Sequence, residues 1–493
     1  MARRSARTRQ RVRGRKQGGR GPATARGRDS AHTLAALLLG LLLMAATAAV
    51  AQGEDARSIR WGGDLRLRGE ALNNARDLSD PVADSTAFYD DSYQYYRMRY
   101  RLWIEARPSN SLTIYLRAGN EYRWGVYEKG TSADGRVLEA ASIRDPESRI
   151  SLDNGWAELT SPHGLSLRFG RMDLAYGEGF LIFDGTPADG SSSVWFDAIK
   201  ANWSGRGVSV DLFTAKIQDE GFGTPARDED LYGLAARWRG LELYTLDKVK
   251  RSATVAGSGI VHPRQSTVAL GGRYSHLPET GWQLSTEGAF QTGTYNDREG
   301  DLGGRIGDRN RARSGLGGYL RGGWVSSGTA RAGVELGGVY LSGDDRSTGR
   351  YEGWDPFYGE WPKYSELLIY TLLDATTRVG INGSRPASVD DAGSWTNLRA
   401  AWIEGRVRAH PRARILGRFA WFGAAESGAL ASACGCPKAA SKDRGILFAA
   451  QADLDLAAGV TGQVLGERFL PGDYYGRGED PAWYGRAQIV ARF

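Results

Sequence analysis

Cysteine is nearly missing from this chain: there are two in 493 residues, Cys434 and Cys436, one glycine apart. Two thiols cannot supply the four ligands of a structural zinc. They cannot build a disulfide framework either; a tight local bridge in the loop SACGCPKAA is the one bond open to them in an oxidising compartment. Histidine is scarce too. Beyond residue 52 only His163, His262, His276 and His410 remain. No H-E-x-x-H, P-loop or Ser/His/Asp order appears, so zincin, phosphate-cradle and triad chemistry lack their residues. The glycine-rich stretch GLGGYLRGG (315–323) reads as a strand of small residues, and Asp344, Asp345 and Asp355 read as solvated loop carboxylates rather than a calcium site. The expectation is a chain with no catalytic residue, metal or cofactor. Beyond residue 51 there is no apolar run long enough for a helical membrane span.

The one long apolar run lies near the start. Residues 33–51 read TLAALLLGLLLMAATAAVA and follow a basic arm. A basic leader, an apolar core and a small-residue A-x-A end define a secretory signal peptide over 1–51, with cleavage expected after Ala51. This arm also explains the charge. Residues 1–32 hold ten Arg and one Lys against Asp29, or +10 of the formal net +7, which leaves −3 for the rest. The basic pI therefore carries no message about a nucleic-acid partner.

What is abundant is glycine (67), tyrosine (22) and tryptophan (15), arranged in segments of two-residue period. In 64–71, Asp64, Arg66, Arg68 and Glu70 oppose Leu65, Leu67, Gly69 and Ala71. In 96–107, Arg97, Arg99, Arg101, Trp103, Glu105 and Arg107 oppose Tyr96, Met98, Tyr100, Leu102, Ile104 and Ala106. Residues 112–123 repeat the pattern with Tyr115, Arg117 and Glu121 on the polar side. Such alternation marks strands with two unlike faces. Short turns are expected near 108–111, 161–164, 204–206, 239–240, 277–281, 326–328, 409–411 and 457–459. Long loops are expected near 75–92, 125–147, 177–193, 218–228, 250–265, 295–312, 343–393, 424–443 and 471–482. Eight turns interleaved with nine loops join eighteen strands and leave both ends of the sheet on the short-turn side. That is the plan of an all-β, antiparallel up-and-down barrel spanning the bacterial outer membrane, with short periplasmic turns, long extracellular loops and aromatic girdles. Residues 52–493 then form a single barrel domain in outer-membrane lipid, taken as a monomer. The segment ending in Phe493 resembles an outer-membrane insertion signal.

A barrel's interior decides what passes. The polar faces place Arg66, Arg68, Arg97, Arg99, Arg101, Trp103 and Arg117 toward the lumen, joined from later strands by Arg168, Arg237, Arg273, Arg321, Arg406, Arg418 and Arg486. Parity slips after Gly170, which puts Arg171 on a bulge or at the rim. Acidic partners on the same face are Glu70, Glu105, Glu121, Glu158, Glu335 and Glu404. Two readings stay open. The charges cross-pair and hold the barrel's shape, or the arginines exceed their partners and form a positive wall whose field is focused by low-dielectric surroundings. Trp103 and Tyr115 either stack on sugar faces or pack the lumen.

Several segments carry a resemblance to the alginate-export family of outer-membrane barrels: RLRGE (66–70), RMRYRLWIE (97–105), WAELTSPHGLSLRFGRMDLAYG (156–177), FDA (196–198), WDPFYGEWPKYSEL (354–367) and ERFLPGDYY (467–475). This resemblance implies passive export of an anionic, alginate-like polyuronate along a ladder of arginines. Guanidinium groups match carboxylates with paired hydrogen bonds, and interspersed acids keep binding loose enough for release. The drive would come from synthesis and from periplasmic export proteins. The alternative is an anion-selective porin for small solutes. An outer-membrane phospholipase would need a Ser/His pair at the lipid-facing rim, and none is seen. An adhesin would call for a plugged lumen without charge bias.

Overall fold

The computed structural model describes residues 58–74, 93–124, 129–131, 137–139, 150–183, 195–218, 229–254, 261–296, 310–345, 347–359, 365–367, 396–427, 441–475 and 480–493. The expected signal peptide (1–51), Cys434 and Cys436 lie outside these residues. In chain order the strands are β1 (Ser58–Asn73), β2 (Tyr93–Ser109), β3 (Leu112–Trp124), β4 (Lys129–Thr131), β5 (Val137–Glu139), β6 (Ser151–Thr160), β7 (Leu165–Met172), β8 (Phe196–Gly205), β9 (Val208–Gln218), β10 (Glu229–Trp238) and β11 (Leu241–Lys250). They continue as β12 (Ala253–Thr254), β13 (Val261–His262), β14 (Gln265–His276), β15 (Gly281–Asn296), β16 (Asn310–Val325), β17 (Gly333–Leu341), β18 (Leu398–His410), β19 (Ala413–Gly423), β20 (Asp443–Ala457), β21 (Val460–Pro471) and β22 (Ala482–Arg492).

Two short hairpins, β4–β5 and β12–β13, stand apart in long loops, and the other eighteen strands form one sheet. Each pairs antiparallel with its sequence neighbour, and β1 pairs with both β2 and β22, so the sheet has no edge. The seam is finished by the last residue: the Gly63 amide donates to the Phe493 carbonyl at 2.9 Å, and the Phe493 amide to the Gly63 carbonyl at 3.1 Å. Closure pairs every strand within the sheet, as a bilayer core without water demands.

Alternation sorts the side chains as the period-two pattern requires. Leu212, Leu243 and Leu336 are 60%, 55% and 61% exposed on the outer face, a display that only lipid would solvate. Trp61 and Trp282 are 70% and 76% exposed, each a few residues from the short-turn end, where an aromatic girdle belongs. An eighteen-strand closed barrel with such a surface is a protein of the bacterial outer membrane.

The short turns fall where the sequence puts them. In two of them, Arg206-Gly207 and Arg239-Gly240, both residues have positive φ (52° and 79°, 46° and 82°), the type I′ geometry that fits the twist of a tight hairpin. Two irregularities re-aim side chains. At Arg117/Ala118 the β3–β6 register skips Asp153, which turns this residue inward. At Gly170 (φ 122°) a Cβ would lie 2.3 Å from the Gly155 carbonyl oxygen, so only glycine fits. Beyond it Arg171 leaves the lumen side and pairs with Asp197 at 2.8 Å near the rim.

Candidate functional site: the lumen wall and its infolded loops

The arginines of β1–β3 stand on the inner face, but they do not form an open ladder. Arg66, Arg68 and Arg97 are 0%, 1% and 2% exposed. Glu121 accepts from Arg66 at 2.8 Å and from Arg97 at 2.7 Å; Glu70 accepts from Arg97 at 3.1 Å and from Arg68 at 3.2 Å. Tyr484 of β22 donates to Glu70 at 2.8 Å, and Gln488 accepts from Arg68, so the network spans the seam. Next to it, Asp64 holds Arg99 at 3.2 Å and Arg101 at 2.6 Å. Arg117 is held by Asp153 at 2.8 Å and Asp173 at 3.0 Å. A guanidinium carries five donors in a fixed fork. It can therefore bridge two carboxylates on different strands, and here it laces the wall laterally.

The rest of the circuit follows the same rule. Arg168 pairs with Glu158 at 2.9 Å, and Arg237 with Asp211 and Glu242 at 3.2 and 3.1 Å. Arg418 pairs with Glu404, and Arg486 with Glu366 at 3.1 Å. Glu105 sits at the periplasmic mouth and takes Arg60 and Arg107 at 2.5 and 3.0 Å. Arg406 is bonded to the Gln283 amide oxygen and, among the described residues, to no carboxylate. Lys200 points inward from β8 with no ion-pair partner among the described residues. Among those residues, too, no group of three or more His, Cys, Asp or Glu is placed to hold a metal ion.

Trp103 and Tyr115 do lie on the inner wall, but their faces are taken. Trp103 stacks on Tyr115 (ring centroids 6.2 Å apart, interplanar angle 21°), and Tyr115 stacks on Trp156 (5.2 Å, 17°). The Arg168 guanidinium caps Trp156 at 3.9 Å, and a Cβ on Gly62 would press within 2.8 Å of Trp103. Offset stacking at these separations is favourable. The column is closed at both ends by protein, so it offers edges rather than a platform for a sugar ring.

The largest feature not foreseen from sequence is a pair of loop segments folded into the lumen. The first follows β7, the shortest barrel strand. Leu174, Tyr176, Phe180, Leu181 and Ile182 are buried against the inner wall. Glu178 pins this segment: its carboxylate takes Arg273 at 2.6 Å, Arg321 at 3.0 Å, the Tyr319 hydroxyl at 2.9 Å and the Ser285 hydroxyl at 3.0 Å, while its own amide donates to Glu287 at 3.1 Å. Burial alone would raise the Glu178 carboxyl; Arg321 and Arg273 outweigh it and hold it below the usual carboxylate range. Arg273 and Arg321 thus lie on the lumen wall and secure a loop.

The second segment follows β17. Trp354 is 1% exposed and lies over Gly317, where a Cβ would come within 2.7 Å of its ring; the glycines of β16 make the room. Asp355 is not a solvated loop carboxylate. It is buried and pairs with Lys248 at 2.5 Å and Arg313 at 3.4 Å. Asp344 is half-buried; burial raises its carboxyl, with Arg311 opposing. Tyr358 bonds to Glu229, on the β10 side of the ring. Ser365 and the Leu367 amide then bond to Glu467 at 2.8 Å each, on the β21–β22 side. Those two walls are nine strands apart in the ring of eighteen, so this loop is anchored on opposite sides of the lumen. The two infolded segments also join each other. The Tyr358 amide donates to the Leu181 carbonyl at 2.9 Å and the Phe183 amide to the Tyr358 carbonyl at 3.1 Å, with Phe180 against Trp354 at 5.1 Å.

The chain is thus a closed outer-membrane barrel with a charged lumen and inward-folded loops. No protein-family model and no curated protein matches the chain. Among solved structures, Acinetobacter baumannii OccAB1 is similar with a TM-score of 0.51 at 9% identity, covering 88% of this chain and 97% of that one. Acinetobacter baumannii OccAB4 gives 0.50 at 9% identity, covering 88% and 98%. These likenesses show the fold. They also correct the resemblance to the alginate-export family: the similar structures reported are OccAB1 and OccAB4, not an alginate exporter. Most of the segments quoted for that resemblance are strands and turns of the barrel, and the described residues of 354–367, quoted among them, anchor a loop to the lumen wall.

Proposed function

We propose that the protein is a passive outer-membrane channel for small solutes with a preference for anions. The observation that supports it is the loop between β17 and β18, anchored on opposite walls and joined to the loop after β7. A loop fixed to both walls leaves less room for a polymer than for small molecules. The preference rests on which unmatched charges reach the lumen: among the described residues Glu287 and Glu467 also lack an ion pair, but both are buried, and Asp453 is held by Gln451 and Gln463. Carboxylates of the wall such as Glu70, Glu121, Asp64, Asp153 and Glu404 are each engaged by cations, whereas Lys200 and Arg406 face the lumen without a carboxylate partner among the described residues. In this reading Arg66, Arg68 and Arg97 hold the wall, while the partly exposed Arg101, Arg117, Arg168 and Arg418, each paired with a wall carboxylate, flank the solute path.

The test is a reversal potential across a planar bilayer in a potassium chloride gradient. Chloride should be the more permeant ion, and the Lys200→Ser/Arg406→Ser double variant should move the reversal potential toward zero. Liposome swelling should admit monosaccharides and exclude oligouronates. A cation-selective channel, or swelling by long oligouronates, would refute the proposal.

A further inference from the structure

The hairpin joining β18 and β19 departs from the charge pairing that holds most of the wall. Its sequence, RVRAHPRAR (406–414), puts four arginines and a histidine into nine residues. Arg408 and Arg414 are direct cross-strand partners. Directly opposed Cα atoms lie about 5 Å apart, and like charges so placed repel. Both have the parity of Glu404 and Arg418, so they stand on the lumen side at the periplasmic mouth; Ile403 and Ile415 hold the lipid side. Arg408, Arg412 and Arg414 are all exposed, and none has a carboxylate partner among the described residues. The carboxylates on the adjoining strand do not close the account. Asp453, opposite Arg414, instead accepts from Gln451 at 3.0 Å and Gln463 at 2.9 Å, and Asp455 forms no ion pair with the hairpin.

The hairpin is also held in shape. The Arg408 amide donates to the Ala330 carbonyl at 2.7 Å, tying it to the neighbouring turn, and Arg331 of that turn pairs with Glu279 at 3.4 Å. His410 Nδ1 accepts the Arg412 amide at 3.2 Å, which leaves Nε2 as the protonated, donating nitrogen. Three guanidinium groups and an imidazole donor thus sit at one mouth on a held backbone, the guanidinium groups repelling one another, and an anion would relieve them.

We infer that this hairpin is a binding site for small polyvalent anions, of the phosphate or polycarboxylate kind, at the periplasmic mouth of the channel. The inference deepens the channel reading and rests on it. The fork geometry of guanidinium suits such oxyanions, two donors to two oxygens. Because the cluster lies at one end only, it acts on solute from one side.

The experiment uses the full chain in planar bilayers of phosphatidylcholine, with inorganic tripolyphosphate added to one chamber at a time. Block is expected from the hairpin side alone. In Arg408→Ser/Arg412→Ser/Arg414→Ser the half-blocking concentration should rise by at least about tenfold. In Arg206→Ser/Arg239→Ser, which removes charge from other periplasmic turns, it should stay within about twofold. Equal block from both sides or an unchanged triple variant would overturn the site. Heat-modifiable migration of each variant confirms a folded barrel, and calorimetric titration of tripolyphosphate into detergent-solubilised protein reads the site without conduction. Anion preference without block or binding removes the hairpin site and leaves the channel reading; binding without conductance removes the channel reading alone.

Discussion

Glu178 is the point at which the inner loop is most easily released. Replacing it with glutamine keeps the size of the side chain and removes its charge. The carboxylate meets Arg273 at 2.6 Å and Arg321 at 3.0 Å, with two hydroxyl donors besides. Arg321 keeps a second acid, Glu335 at 3.3 Å, so Arg273 bears most of the loss. Removing one member of a buried pair costs about 3–5 kcal/mol. The groups here are largely but not fully sequestered, and the amide still accepts a hydrogen bond, so about 2–3 kcal/mol is the fitting range. At about 1.4 kcal/mol per decade, the undocked population of residues 174–183 should rise roughly 30- to 150-fold. Hydrogen exchange of the Tyr176 and Phe183 amides, which are bonded to Ile182 and Tyr358, should accelerate by that factor. Single-channel records should show added flicker and a larger mean conductance, with the barrel's unfolding temperature little changed. Unaltered exchange and current noise would refute the pin; the loop would then be held by Phe180, Leu181 and Ile182 against the wall.

Acid should act in the same direction. The Glu178 carboxyl is held below its ordinary value, so its contribution to docking is complete above about pH 4.3 and is lost as pH falls through the lowered value. Conductance should therefore step up on strong acidification, and the step should vanish in Glu178→Gln. Arg97 bridges Glu70 and Glu121, both buried, so Arg97→Met should destabilise the barrel by about 3–5 kcal/mol, read as earlier unfolding in a urea titration of detergent-solubilised protein. Gly170→Val meets both a positive φ and a carbonyl oxygen 2.3 Å from the new Cβ. It should cost more than about 3 kcal/mol and yield little folded barrel, which gel migration before and after heating would show.

The barrel was legible because its signal is local and repeated. On β2 the run Arg97, Arg99, Arg101 against Tyr96, Met98, Tyr100 is enough to set the two faces, and closure follows from an even number of such segments. The turn at Arg206-Gly207 and the slip at Gly170 could be placed because glycine marks them. The pairing of the lumen was only partly legible. Glu70 and Glu121 share the arginine face in plain alternation. Asp153 reaches Arg117 through a bulge that alternation assigns to the lipid side, and Asp173 and Glu178 arrive from a loop. The infolded segments were missed because loops carry no period. One signal was present: YGEGFLI (176–182) is an apolar run inside a stretch that should be polar, and residues that would pay to face water were already marking an interior. The stacked Trp103, Tyr115 and Trp156 sit on three strands, and nothing along one strand reports that their faces meet.

The joint between β1 and β22 carries a consequence for assembly. It brings Gly63 and Phe493 together from the two ends of the sheet, so the most distant pairing in sequence completes the cylinder, and pairings of that separation form late. Until the carboxyl-terminal strand is made, β1 has an open flank exposing the unsatisfied amides and carbonyls that any other strand could capture. A synthetic peptide of residues 482–493 supplied during refolding should occupy that flank and trap the chain as an unclosed sheet.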